Sequence, residues 1–169
     1  MRFIKLVFIS IIVLSLLLTT LSLLFPPHLH IARNISISSS KEKIDSVISD
    51  LHTWNKWNHF LDDSLLTNKN ILPDSNATVL ISDQVTVTLK RDSSGSIILF
   101  WKQPSGKEFT GGFNLIKVHS DEITVQWYFD FSFKWYPWEK FSSLVYDKQM
   151  QPIIEKSLTD LKRLVENNP

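Results

Sequence analysis

His59 is the residue of this sequence best placed for chemistry, because two carboxylates, Asp62 and Asp63, follow it closely. A histidine beside a carboxylate can act as a general acid or base when it lies within hydrogen-bond reach of a substrate. The same residue types also form ordinary solvated turns. The sequence carries no nucleophile elbow, phosphate-binding glycine loop or metalloprotease helix. His59 with Asp62 is therefore an open acid–base candidate, and the sequence identifies no catalytic residue.

Other chemical classes receive little support from the sequence. His28 and His30 could be weak transition-metal ligands, but no third ligand lies near them, so we predict no metal site and no cofactor. The chain has 18 Lys and Arg against 17 Asp and Glu, with no basic patch, which argues against nucleic-acid binding. It contains no cysteine, which fits several compartments.

The stretch WNKWNHF places Trp54 and Trp57 three positions apart in a polar segment that ends at Phe60. At this spacing the rings share one face of a short helix. Tryptophan supplies a large apolar body with one N–H that can face water. The rings could fill the core where a helix meets a sheet, or they could contact an apolar ligand.

The elements around this stretch can be predicted from hydrophobic periodicity. A first strand is expected over residues 31–38, and Ser39 with Glu42 forms a capping box for a short helix that buries Ile44 and Ile48. A meander of strands follows from Ala77, with turns predicted at residues 92–95, 103–106 and 119–121.

Residues 123–135 give the clearest strand, because seven apolar side chains alternate with polar ones; they are Ile123, Val125, Trp127, Phe129, Phe131, Phe133 and Trp135. Such alternation predicts one buried and one solvated face. Gly111 and Gly112 interrupt the preceding strand and predict a bulge or a sharp bend there.

The last segment predicts a helix over about residues 141–166, with Ile154, Leu158, Leu161 and Val165 on one face. Pro152 is expected either to begin its main part or to kink it. This helix would cover the apolar face of the sheet. The connection at residues 134–141 contains four aromatic residues, and it could be a tightly packed link or rest on a headgroup layer.

Residues 6–25 contain no charge, proline or glycine and are long enough to span a bilayer. We interpret them as an uncleaved membrane helix; a cleaved signal peptide and a buried soluble helix are the alternatives. Arg2 and Lys5 precede the run, which predicts a cytoplasmic N-terminus with the following domain periplasmic or extracellular. The expected division is an anchor at 1–27 and a domain at 28–169.

The order of elements, with DLHTWNKWNHFLDD after the first strand and IIEKSLTDLKRLVE at the end, resembles the SRPBCC superfamily of helix-grip domains, which includes START, Bet v 1-like and polyketide cyclase-like domains. The resemblance covers about residues 30–166. It implies an α+β fold, in which a curved antiparallel sheet wraps around a long C-terminal helix, with an apolar cavity between them.

The resemblance also implies a function, namely binding of a hydrophobic small molecule or lipid beside a membrane. A cyclase- or hydrolase-like enzyme and an interaction module without a ligand are the alternatives. The residues expected to line the cavity are aromatic; they are Trp54, Trp57, Phe60, Trp101, Phe113, Trp127, Phe129 and Phe131.

Overall fold

The computed structural model describes residues 2–61, 68–74, 77–93, 95–119 and 122–167. The elements in chain order are α1 (Arg2–Ser22), β1 (His28–Ile37), α2 (Lys41–Ser49), a 3-10 turn (Trp54–Lys56), β2 (Asn70–Asp74), β3 (Ala77–Ile81), β4 (Thr86–Arg91), β5 (Ile97–Lys102), β6 (Glu108–His119), β7 (Glu122–Ser132) and α3 (Pro137–Glu166). Asp62 and Asp63 of the acid–base hypothesis lie outside the described residues.

The seven strands form one antiparallel sheet in the order β1-β7-β6-β5-β4-β3-β2. The first strand pairs with the last, from His28 opposite Ser132 to Ile37 opposite Ile123. The short strand β2 lies at the other edge, where Pro73 is tolerated because an edge strand has one side without ladder bonds. The chain therefore leaves β7 for α3 at the end of the sheet where β1 begins.

Strand β7 has the alternating burial that its sequence predicts. Its buried side chains are Ile123, Val125, Trp127, Phe129 and Phe131. The strand ends at Ser132, opposite His28, because the preceding residue of the partner chain segment is Pro27, which has no N–H to continue the ladder. The prediction that Trp135 continues the buried face is therefore wrong: this side chain is 70% exposed.

Of the two predicted alternatives at Gly111 and Gly112, the bulge is absent, and the sharp bend stays a prediction. Gly111 and Gly112 pair regularly with β5 and β7, and the register shift between β6 and β7 lies between Lys117 and His119. The glycines instead allow close packing across strands. A Cβ added to Gly111 would lie 2.5 Å from the carbonyl oxygen of Tyr128 and 3.3 Å from the Phe129 ring.

Two of the three predicted turns, at residues 92–95 and 103–106, coincide with hairpins, and residue 94 of the first lies outside the described residues. Gly95 and Gly106 close the β4–β5 and β5–β6 hairpins with φ of 83° and 79°. Glycine suits this left-handed backbone because it has no Cβ. The third predicted turn includes residues 120 and 121, which lie outside the described residues.

Helix α2 begins one residue later than its sequence pattern suggests. Ser40, rather than Ser39, is the N-cap, and its Oγ accepts the Lys43 N–H at 3.3 Å. Ile44 and Ile48 are fully buried, as predicted. The 3-10 turn that follows carries Trp54 into the core.

Helix α3 is a single helix with Pro137 in its first turn and Pro152 inside it. The prediction that the helix begins near residue 141 or at Pro152 is therefore wrong. Its apolar stripe is confirmed, since Ile154, Leu158, Leu161 and Val165 are buried in the core. The sheet and α3 together form the predicted α+β helix-grip fold.

Helix α1 stands apart from this core. Residues Phe3–Ser22 form a helix long and apolar enough, at a mean hydropathy of 2.5, to cross a membrane. Most of its large apolar side chains are exposed. Beyond its end, the ring of Phe25 contacts that of Phe141 in α3 with centroids 5.4 Å apart.

Candidate functional site

All eight aromatic residues predicted to line a cavity face the space between the sheet and the helices, but they form two groups. The first group, called here the aromatic core, consists of Trp54, Trp57, Phe113 and Trp127, each at most 1% exposed. The rings pack directly on one another. Trp54 lies 5.4 Å from Trp57, and Phe113 lies 5.0 Å from Trp127.

The rings of the aromatic core are held by contacts with one another and with the backbone. The Trp54 indole N–H donates a 2.7 Å hydrogen bond to the carbonyl of Ile48, which fixes this ring against the end of α2. The ring of Trp57 contacts both Phe113 and Trp127 edge-on. None of the four rings lines the apolar cavity that the second group forms. These four residues of the sequence-based set thus stabilise the fold.

The second group, Phe60, Trp101, Phe129 and Phe131, lines a cavity of about 220 Å³. Its floor is the buried face of β5, β6 and β7, where Trp101 pairs with Phe109 across the strands. Its other walls come from helix α3 and from the β3–β4 connection; the residues that complete the lining are Gln84, Val85, Gln103, Phe109, Tyr146 and Met150. We call this space the inner cavity.

Gly111 affects the shape of the inner cavity because it has no side chain. It lies opposite Phe129 in the β6–β7 ladder, where a side chain would press against the Phe129 ring. The Phe129 ring therefore lies close against β6 and contacts the Phe60 ring edge-to-face, with ring centroids 5.4 Å apart. A cross-strand glycine next to an aromatic residue thus helps to set the depth of the cavity floor.

A second hollow, of about 300 Å³, adjoins the inner cavity and shares four lining residues with it, Gln103, Phe109, Phe131 and Tyr146. Its remaining walls are more polar and come from the β5–β6 turn and the β7–α3 connection; they include Lys107, Glu108, Ser132, Phe133, Lys134 and Glu139. We call it the rim. The rim lies at the end of the sheet where β1 begins.

The inner cavity is suited to hold an apolar molecule. Six of its ten lining side chains are aromatic, and its polar groups are the amides of Gln84 and Gln103, the Tyr146 hydroxyl and the indole N–H of Trp101. This N–H is buried and has no hydrogen-bond partner among the described residues. Small-molecule sites typically combine apolar walls with a few such polar groups and occupy about 300–1,000 Å³. At 220 Å³ the inner cavity is smaller than this range, and its continuation into the rim supplies further room.

A hollow of about 310 Å³ lies mainly on the outer face of the sheet, near the same end. Polar side chains dominate its walls, and a salt bridge of 2.9 Å joins Lys102 to Glu108 there. The hydrogen bond to Glu108 raises the pKa of Lys102. Because Lys102 and Glu108 pair with each other, Asp130 pairs with His30, and no residue of α3 belongs to the lining, this hollow is a weaker candidate than the inner cavity.

His59 does not line the inner cavity or the rim. Its Nε2 lies 2.7 Å from Asp160 Oδ2, and its backbone N–H donates to Ser157 Oγ at 3.0 Å. Both partners belong to the C-terminal half of α3. The described contacts of His59 therefore fix the Trp54–Phe60 segment against α3, away from the apolar space.

Several lining residues carried no recognisable signal in the sequence. Tyr146 and Met150 precede Pro152 in a part of α3 whose apolar spacing is irregular, and Val85 lies in a turn. Phe109 begins a strand whose alternation the glycines interrupt. Only the three-dimensional placement of α3 over β5, β6 and β7 brings these residues together.

No family model matches the sequence, and no curated protein matches it. Solved structures do match the fold. The Zhui aromatase/cyclase from Streptomyces sp. R1128 is similar at 12% identity with a TM-score of 0.62, covering 82% of this chain and 94% of its own. A START superfamily protein from Mycobacterium smegmatis is similar at 15% identity with a TM-score of 0.60, covering 83% and 99%.

Truncated norcoclaurine synthase from Thalictrum flavum is also similar, at 13% identity with a TM-score of 0.54, covering 82% of this chain and 93% of its own. At these identities the likeness concerns the fold. The chain therefore has a helix-grip fold like that of these structures, and the predicted fold is confirmed.

Proposed function

We propose that this chain binds a hydrophobic small molecule or lipid in the inner cavity and that α1 tethers it to a membrane. In this proposal residues 1–27 form the anchor and residues 28–169 form the binding domain. Arg2 and Lys5 favour a cytoplasmic N-terminus, so the domain lies in the periplasm or outside the cell.

The observation that carries the proposal is the apolar space between α3 and the sheet. Trp101, Phe129 and Phe131 form its floor and Met150 covers it. Transfer of a ligand into such a space is favoured by about 25 cal/mol per Å² of apolar area buried. The fold also supports it, since similar structures include a START superfamily protein and an aromatase/cyclase.

Binding without catalysis is the reading that the lining favours. Among the described residues around the inner cavity, Tyr146 is the only titratable one. A cyclase- or hydrolase-like reaction needs a proton-transferring group within reach of its substrate. The open volume of the inner cavity and rim likewise favours ligand binding over an interaction module whose core is filled by its own side chains.

The proposal can be tested by native mass spectrometry of the full-length protein after mild detergent extraction, followed by titration with a fluorescent fatty-acid probe. Met150→Trp places a larger ring in the inner cavity, and we expect it to weaken probe binding at least about tenfold. The matched control is Gln149→Trp on the exposed side of the same turn, which should bind as the wild type does.

Two results would contradict the proposal. One is the absence of any co-purifying molecule or probe binding in the wild type. The other is equal binding by Met150→Trp and Gln149→Trp, provided that near-UV circular dichroism shows both variants to be folded.

A further inference from the structure

The connection between β7 and α3 presents an exposed cluster of aromatic rings. Trp135 is 70% exposed and Trp138 is 68% exposed, although tryptophan usually buries much of its surface. Tyr136 lies between them, with ring centroids 4.9 Å from Trp135 and 5.1 Å from Trp138. We call these three residues the aromatic belt. The interpretation of this segment as a tightly packed link is wrong for its two tryptophans.

The belt lies at the end of α1. The backbone N–H of Phe133, two residues before the belt, donates a 2.8 Å hydrogen bond to the carbonyl of Pro27. Phe25 packs against Phe141, one helical turn beyond Trp138. Between α1 and this contact, Leu23 and Leu24 are 73% and 79% exposed. Exposed apolar side chains thus continue from α1 to the belt.

The length of α1 sets the level of the belt relative to a bilayer. Residues Phe3–Ser22 span about 30 Å as a helix, which matches the hydrocarbon core of a membrane. A helix that crosses the core over these residues brings Leu23 and the following residues to the polar boundary. The contacts of Pro27 and Phe25 then hold the belt at that boundary.

The cavity opens at the same place. Lys134 and Glu139, which flank the belt on its two sides, line the rim together with Phe133. The rim is the more polar of the two spaces and leads to the apolar inner cavity. The path from outside to the ligand space therefore begins beside the exposed tryptophans.

From these observations we infer that the aromatic belt docks on the headgroup layer of the bilayer that α1 spans, so that the cavity rim faces lipid and a ligand passes directly between bilayer and cavity. Tryptophan and tyrosine favour this layer because their rings are apolar and their N–H and O–H groups remain hydrated. Lys134 adds a cationic group that attracts lipid phosphate. The route of the ligand rests on the proposed function, whereas docking of the belt does not.

The distribution of tryptophans makes docking directly measurable. Four of the six, Trp54, Trp57, Trp101 and Trp127, are at most 3% exposed, the other two form the belt, and α1 contains none. Full-length protein is reconstituted into phosphatidylcholine vesicles whose acyl chains are brominated close to the headgroup, with unbrominated vesicles as reference. Bromine quenches only indoles that it contacts.

We expect brominated vesicles to reduce the emission of the wild type and to leave that of Trp135→Phe/Trp138→Phe unchanged. Equal emission of the wild type in the two kinds of vesicle, together with quenching of the belt by acrylamide from the water phase, would overturn the inference. That result would also be the one expected if the belt instead met a protein partner. The core emission of the double variant reports whether it is folded.

A second measurement separates docking from ligand binding. Trp135→Ser/Trp138→Ser should slow transfer of the fatty-acid probe from vesicles to the protein several-fold, while its affinity for the probe in detergent stays that of the wild type. Unchanged transfer would refute the route from the bilayer. Absence of probe binding in the wild type, with lipid quenching intact, would refute the proposed function alone.

Discussion

The backbone N–H of Phe133 donates to the carbonyl oxygen of Pro27 over 2.8 Å, and this bond joins the exit of α1 to the rim of the cavity. It extends the β1–β7 ladder by one step beyond the pair of His28 and Ser132. Pro27 has no N–H, so it can accept this bond but cannot continue the ladder. The exit of α1 and the rim are thereby joined directly through the backbone.

Removal of the adjacent aromatic contact should loosen this junction. We expect Phe25→Ala to speed amide hydrogen exchange at Phe133 about two- to tenfold, because an edge-to-face ring pair contributes about 0.5–1.5 kcal/mol beyond area burial. Leu24→Ala, at an exposed neighbouring position, is the control and should leave the rate unchanged. Equal rates in the two variants would show that the ring contact does not support the junction.

The two tryptophans of WNKWNHF should differ in their response to phenylalanine. Trp54→Phe removes the hydrogen bond to the Ile48 carbonyl, whereas the Trp57 indole N–H has no hydrogen-bond partner among the described residues. Loss of a partner by a buried polar group costs about 1–3 kcal/mol. We therefore expect Trp54→Phe to lower the free energy of unfolding by about that much more than Trp57→Phe, as measured by urea denaturation in detergent.

The β6 glycines should tolerate no side chain. Gly111→Ala brings a Cβ to 2.5 Å from the Tyr128 carbonyl oxygen, and Gly112→Ala brings one into the carbonyl oxygen of Ile97. Overpacking of this kind destabilises by about 1–3 kcal/mol. Thr110→Ala, an exposed position in the same strand, should change the free energy of unfolding much less. A glycine variant as stable as Thr110→Ala would contradict this account.

Tyr128 should ionise at a higher pH than an ordinary tyrosine. Burial raises the pKa of its hydroxyl, and the negative charges of Asp130 and Asp92 raise it further. Subtraction of the tyrosinate absorbance titration of Tyr128→Phe from that of the wild type should give a midpoint above about 10. A midpoint at or below that value would show that the hydroxyl is solvated.

The same shift has a consequence for stability. When the folded-state pKa is above the unfolded-state pKa, the folded protein holds the proton longer, so the stabilisation is complete below about pH 10 and is lost as the pH rises through the folded-state pKa. We expect the free energy of unfolding of the wild type to fall more steeply in this range than that of Tyr128→Phe.

The elements predicted correctly from the sequence are those that bury one face, because burial of one face requires apolar residues at regular spacing. The side chains of β7 alternate between apolar and polar because the core lies on one side of the strand. Apolar residues recur at helical spacing in the second half of α3 because it packs on the same core. Trp135 shows the limit of this reasoning. Trp135 continues the alternation of apolar and polar residues in the sequence. The strand itself ends at Ser132, opposite the first residue of β1, His28, and the alternation in the sequence does not show where this pairing ends.

The candidate site was predicted only in part. The sequence identified eight aromatic residues on the inner face, but it could not show which rings pack on one another and which leave a space. Trp127 and Phe129 are two residues apart in β7, yet only Phe129 lines the inner cavity. The difference arises from what covers each ring: Trp57 packs on Trp127, whereas the first half of α3 stands over the region of Phe129.

Pro152 divides α3 between these two roles. Tyr146 and Met150 precede it and wall the cavity, while Ile154 and the residues after it pack into the core. Proline cannot donate the hydrogen bond that would join it to the carbonyl of Lys148, so the helix is easier to bend at this point than elsewhere. Bending of α3 at Pro152 would move Tyr146 and Met150 relative to the sheet and so change the volume of the inner cavity, while the packed tryptophans stay in place.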